Sequence, residues 1–243
     1  MIRKLALVVS VFFVIFLIFF LNEEISTEQF KTDNLNSNVS VDQPIWLINQ
    51  ANSKVAYKIS ANNALVNKPN ENFLLARVVI KELLGSKVSS SVRSDKALLD
   101  LGLKNLIMSE SVHLELYIGN EILDLFTNEI ICDLNLKEIK SEEKITLEMP
   151  LFVLESEGFQ IKNVENKNKE ILFNKAAFNQ SKDGDIVSGK ADLIIHNFPS
   201  DVLTLKGSAE VKFNSSTLKA EEIQFNYKSQ TIIKSKNSKF INS

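Results

Sequence analysis

Few side chains in this 243-residue chain are of kinds that perform chemistry. Cys132 is the one cysteine, and His113 and His196 are the two histidines. A single cysteine excludes an intramolecular disulfide and a cysteine-rich zinc site. The histidines stand far apart in strand-like runs without a metal-ligand spacing, and each reads as a hydrogen-bonded residue on or beside a polar strand face. Cys132 alternates with Ile130 and Leu134 and reads as a small buried hydrophobe. The acidic pair Glu142 and Glu143 falls in a turn, with no base or second carboxylate placed for acid–base work. Phosphate-binding loops, dinucleotide fingerprints, nucleophile elbows and zinc-protease motifs are all missing, and there are only seven glycines. No catalytic residue, metal or cofactor is expected. The 28 basic and 30 acidic residues nearly cancel, which argues against nucleic acid as a partner.

The chain instead writes strands. Apolar residues alternate with polar ones at Val55, Tyr57 and Ile59; Val88, Ser90 and Val92; Ala97, Leu99, Leu101 and Leu103; and Val112, Leu114 and Leu116. The pattern continues at Ile130, Cys132, Leu134 and Leu136; Ile145, Leu147 and Met149; Ala191, Leu193 and Ile195; Ala209, Val211 and Phe213; and Ile223, Phe225 and Tyr227. Period two separated by polar turns predicts an antiparallel sheet with one apolar face. Residues 72–85 fit a helical wheel as well, but their β-branched centre, Val78, Val79 and Ile80, favours a strand.

Ahead of the strands, Arg3 and Lys4 precede an uncharged apolar run from Leu5 to Leu21, followed by Glu23 and Glu24. Seventeen residues at ~1.5 Å each reach about 26 Å, enough to nearly span a hydrocarbon core of ~30 Å. A cleaved signal peptide shares the basic start and apolar middle, but its apolar stretch is shorter and ends in a small-x-small site, which is not found here. The expectation is a cytoplasmic stub at 1–4, a transmembrane anchor at 5–21, a polar tether at 22–44 ending on Pro44, and a β region at 45–243 beyond the membrane.

Within the β region one passage echoes another. "SVHLELYIGNEILDLFTNEIICDLNLKEIKSEEKI" starts at Ser111 and "SAEVKFNSSTLKAEEIQFNYKSQTIIKSKNSKF" at Ser208, an offset of 97 residues (208 minus 111). Two similar meanders are expected, about 50–165 and 166–243.

An N-terminal anchor, a polar tether and strands such as "LTLKGSAEVKF" (203–213), "LKAEEIQFNYKSQTIIKS" (218–235) and "AYKISANNALV" (56–66) resemble the LptC family of lipopolysaccharide export proteins and the related LptA/OstA domains. In the first copy Glu110 and Ser111 stand where those repeats usually carry glycine. The resemblance implies a β-jellyroll open along one seam, whose interior holds the acyl chains of a glycolipid. It also implies a bacterial inner-membrane location with the C-terminal domain in the periplasm, and no enzymatic activity. The implied partners are lipopolysaccharide or a related glycolipid, LptF/LptG-like membrane subunits of an ABC transporter, and an LptA-like periplasmic bridge.

On this reading the lipid-facing candidates are Val112, Leu114, Leu116, Ile130, Leu134, Leu147, Val211, Phe213, Ile223, Phe225 and Tyr227. The partner edge is expected at Ile232, Ile233, Lys234 and Phe240, where the chain stays strand-like and its lysines either guard the edge or border a docking strand. An ordinary closed sandwich core would use the same apolar residues. The alternative function is accordingly a membrane-anchored scaffold that binds protein only.

Overall fold

The computed structural model describes residues 39–49, 55–67, 72–100, 105–118, 121–133, 138–150, 152–163, 169–182, 184–197, 200–214 and 216–242. The predicted anchor at 5–21, most of the tether, and the candidate Leu134 lie outside them. Among the described residues no helix is long and apolar enough to cross a membrane.

Among the described residues strands form where alternation predicts them, and they join into one antiparallel 18-stranded sheet. Eight strands are long: β5 (Asn72–Leu84), β6 (Lys87–Asp100), β7 (Asn105–Ile118), β8 (Glu121–Asp133), β13 (Lys169–Lys182), β14 (Asp185–Asn197), β15 (Val202–Phe213) and β16 (Ser216–Asn226). The β-branched run at 78–80 sits inside β5, which settles that segment as a strand. The rest are short and come in end-to-end pairs. These are β1 (Val39–Asp42) with β2 (Ile45–Asn49), β3 (Val55–Ser60) with β4 (Asn63–Asn67), and β9 (Glu138–Ser141) with β10 (Ile145–Met149). β11 (Phe152–Ser156) with β12 (Phe159–Asn163), and β17 (Thr231–Lys236) with β18 (Lys239–Asn242), complete them. Eight long strands and five such pairs make thirteen rows among the described residues, each hydrogen-bonded to its neighbours in sequence order.

Rows are bent near their middle. The bend falls at Gln43 in the first row, Arg77 in β5, Glu110 and Ser111 in β7, Lys175 in β13, Gly207 and Ser208 in β15, and Asn237 in the last row, all with positive φ. The spacing is 34 residues from Gln43 to Arg77 and 33 from Arg77 to Glu110, two rows each. Side chains with a Cβ adopt the left-handed region only at a cost, so the bulge is held by the flanking ladders. An extra residue also switches which face the alternation points to: Leu75 and Val78 both face inward, as do Phe173 and Ala176, and Ala191 and Ile194.

The bends divide the sheet into two leaves that fold face to face. β1, β4, β9, β12 and β17 belong to the first leaf, β2, β3, β10, β11 and β18 to the second, and each long strand runs through both. The inward faces share one continuous apolar core from Tyr57 to Tyr227. Bends line one long side of this folded sheet, and the outer ends of the rows line the other, the seam.

The sheet starts earlier than the expected end of the tether at Pro44. Val39–Asp42 pair with β4, because Val39 and Val41 supply alternation and buried Pro44, which has no N–H to satisfy, takes the bend.

Candidate functional site

Alternation puts Val112, Leu114 and Leu116 of β7, Ile130 of β8 and Leu147 of β10 on the inward face, and all five are buried. Val211 of β15, Ile223 and Phe225 of β16, and Tyr227 just after it are buried likewise. Phe213, at the end of β15, is half-buried and packs against the same core. The structure therefore brings these candidates onto one interior surface spanning both leaves.

Toward the C-terminal end this surface is aromatic. Phe178 of β13 lies between Phe152 of β11, 5.4 Å away, and Phe225, 5.3 Å away, both stacked. Tyr227 meets Phe152 at 5.7 Å, and Phe213 meets Phe225 edge-on at 6.3 Å. Phe152 and Phe178 lie on the second leaf and Phe225 on the first, so these rings join the leaves. Stacked and edge-on pairs each contribute roughly 0.5–1.5 kcal/mol beyond their burial.

Among the described residues the core between the leaves is closely packed with buried side chains, and the void among Tyr57, Ile80, Val92, Leu116, Cys132 and Ile161 measures about 30 Å³, room for about one water molecule and far less than an acyl chain needs.

Polar contacts gather along the seam. Near the end of β5, Glu82 faces inward in phase with Val78 and Ile80, and Lys169, the first residue of β13, reaches it from the first leaf with Nζ 2.5 Å from Oε2. Ser89 and Ser90 each donate to the same oxygen at 2.8 Å, and Tyr57 donates to Oε1 at 3.4 Å. Burial disfavours the carboxylate, but the charge and hydrogen bond of Lys169, with the serine hydroxyls, more than offset it and hold its pKa below the usual range. Gln180 donates to the Tyr227 carbonyl at 2.5 Å and Lys182 to the Lys228 carbonyl at 3.0 Å, again from second leaf to first.

His196 corrects the sequence expectation. It is fully buried and inward-facing rather than on a polar face, because the bend at Ala191 to Ile194 switches the phase of β14. One ring nitrogen, Nε2, donates to the Ser200 carbonyl at 2.9 Å. Burial pushes its pKa down to about 4, only partly opposed by that carbonyl and by Asp201.

His113 is on the outer face as expected, stacked on Phe126 with 4.4 Å between ring centres. Arg93 donates to Nδ1 at 2.5 Å, so Nε2 carries the proton given to Asp124 at 2.6 Å. His113, Glu115 and Asp124 lie within metal-ligand reach of one another, but both imidazole nitrogens are engaged and a guanidinium stands beside them. Cys132 is buried as expected, and burial pushes its thiol up to about 12.

Both ends of the sheet leave an edge row paired on one side only among the described residues. At the C-terminal edge Ile233 and Lys234 are exposed, Phe240 is 60% exposed and Ile232 is half-buried against the core. At the N-terminal edge Ile45 is 63% exposed and Leu47 is also exposed.

Sequence reasoning missed Glu82, Lys169, Phe152 and Phe178. A signal for Glu82 existed: it is a charge at the inward position of an apolar strand.

Comparison with known proteins supplies a family. A family model described as lipopolysaccharide-assembly, LptC-related, matches residues 6–172, more than half of the chain. A second, described as LptA/(LptD N-terminal domain) LPS transport protein, matches residues 137–231. Among solved structures, the chain is similar to LptH from Pseudomonas aeruginosa, titled the LptA homologous periplasmic component of the conserved lipopolysaccharide transport device. That likeness has 13% identity over 63% of this chain and 94% of that one, with a TM-score of 0.27, too low to bear on the fold. No curated protein matches.

Proposed function

Because this chain belongs to the LptC-related lipopolysaccharide-assembly family, whose members are transport proteins rather than enzymes, we propose that it is the inner-membrane-anchored periplasmic link of a lipopolysaccharide export system. Its apolar interior takes the acyl chains of the glycolipid from an ABC transporter with LptF/LptG-like membrane subunits and passes them on to an LptA-like bridge. The apolar run at 5–21 is the anchor, and the family match starts inside it, at residue 6. The first row meets the transporter and the last row continues the sheet into the bridge by strand addition.

The observation that carries this reading is the continuous inward apolar face, which extends from Tyr57 to Tyr227 between two edge rows that, among the described residues, are paired on one side only. Since the interior is filled, lipid enters by parting the leaves at the seam. A photo-crosslinking residue at Leu114 or Phe225 is expected to capture lipid in cells, and one at Glu115 or Gln224 is not. Lipid capture from neither inward position would sink the proposal.

The filled interior also favours a second reading, an anchored scaffold whose sheet binds protein only. Protein capture from all four positions without lipid would select it.

A further inference from the structure

Lys96–Glu110, Lys144–Glu155, Lys175–Glu157 and Lys236–Glu221 are ion pairs that join neighbouring rows along the outside of the sheet. Glu82–Lys169 differs in three ways. Its residues are 87 apart in sequence, they belong to opposite leaves, and both lie at or near strand ends on the seam. The pair therefore ties the leaves together where they would have to separate.

The two partners are unequally reachable. The Glu82 side chain is 9% exposed and sits behind Lys169, which is 29% exposed. Three hydroxyls, from Tyr57, Ser89 and Ser90, also hold the carboxylate. If Lys169 leaves, Glu82 keeps those donors, and the cost of an orphaned buried charge is reduced. An approaching anion meets the ammonium first, whereas a cation would have to pass it to reach the acid.

We propose that Glu82 and Lys169 form a latch across the seam, released when an anionic phosphate group takes the place of Glu82 on Lys169. The proposal rests on the transport reading for the source of the phosphate, the headgroup of the lipid being carried; the latch itself does not depend on it. A tetrahedral oxyanion on the rim with acyl chains directed inward fits an ammonium at the seam above an apolar floor.

Cys132, the single cysteine of the chain, lines the same small void as Glu82 and Lys169 and is buried. Its thiol reacts only when the leaves part, so its labelling rate by an aromatic disulfide reports opening. The experiment uses the full chain under native conditions, with thermal melts run alongside. Glu82→Gln and Lys169→Gln are each expected to speed labelling at least about tenfold, the ratio that matches a closed state weakened by ~1.4 kcal/mol. The Glu82→Gln/Lys169→Gln double variant is expected to label no faster than either single one, since a shared contact is lost only once. Unchanged rates in both single variants, or multiplied rates in the double, would overturn the latch.

Inorganic phosphate, against chloride of equal ionic strength, is expected to speed labelling of the wild type and not of Lys169→Gln. A bisphosphorylated glycolipid in detergent is expected to do so at lower concentration, and its dephosphorylated form is not. Response to the lipid alone identifies the headgroup as the source, and response to both shows that phosphate suffices. No response to either, or equal response to the dephosphorylated lipid, overturns release by phosphate. The measurements in buffer alone contain no lipid, so a failed latch and a failed transport reading are told apart.

Discussion

Gly189 of β14 lies directly opposite Phe178 of β13, and the Phe178 ring fills the space that a side chain at 189 would need. A Cβ there would stand 2.3 Å from one ring carbon and 2.6 Å from the next. The glycine thus lets the ring lie flat against the strand, where Phe152 and Phe225 stack on it. Gly189→Val is expected to destabilise by about 2–4 kcal/mol through overpacking and disrupted stacking. Urea denaturation measures it, with Ser188→Ala as a comparison expected to stay within about 0.5 kcal/mol.

Acid is expected to weaken the fold through His196. Its pKa in the folded protein is about 4, against 6.5 as its ordinary value. Between those values the unfolded chain binds more protons, so stability falls as pH drops from about 6.5 toward 4, by about 3 kcal/mol in all. His196→Gln should flatten that part of the profile in urea midpoints measured from pH 7 to 4. Glu82 adds a separate loss at lower pH: its depressed carboxyl stabilises above the ordinary carboxylate range, and that contribution goes as pH falls through its folded-state pKa. An unchanged slope between pH 6.5 and 4 in His196→Gln would contradict the assignment.

The bends should respond to glycine. Ser111 and Ser208 hold positive φ, at 53° and 46°. Ser208→Gly should raise stability by roughly 0.5–1 kcal/mol, since relief of left-handed strain at ~1–2 kcal/mol exceeds the backbone entropy glycine loses. Gly207→Ala should lower it, because a Cβ there would stand 2.6 Å from Asp192 Oδ2. Thermal melts of the two variants are expected to move in opposite directions.

If the last row receives the bridge, its exposed apolar side chains are the anchors. Ile233→Asp with Phe240→Asp is expected to weaken retention of an LptA-like protein on the immobilised chain at least about tenfold, the scale on which buried anchors act. Lipid crosslinking at Leu114 should persist, and retained affinity would place the docking surface elsewhere.

Much of this fold is legible in sequence because β alternation is a local signal. Val112, Leu114 and Leu116 alternate, and all three point inward. The link between distant passages was also visible: the 97-residue offset from Ser111 to Ser208 aligns two bends, both at positive φ. Where glycine fills the bend in one copy at Gly207, Glu110 takes the same conformation in the other.

His196 was misplaced because alternation continued from Ala191 would put it on the outer face, and only the bend reverses that. Its neighbour in space, Tyr227, comes from another row, 5.4 Å between ring centres. Glu82 and Lys169 meet because the sheet folds over, a relation that no spacing of 87 residues announces. The rings of Phe152 and Phe178 escaped notice since they lie in strands whose alternation is shared with polar residues of both faces.

Every ladder described above runs from row to row, and among the described residues no backbone pairing crosses from leaf to leaf. Parting the leaves thus breaks ring stacks, side-chain contacts and the seam hydrogen bonds while leaving the sheet's own ladder intact. On the proposed transport reading, a wall built this way sets no fixed capacity: the angle of one crease adjusts to guests with different numbers and lengths of hydrocarbon chains, without a change of register along the sheet.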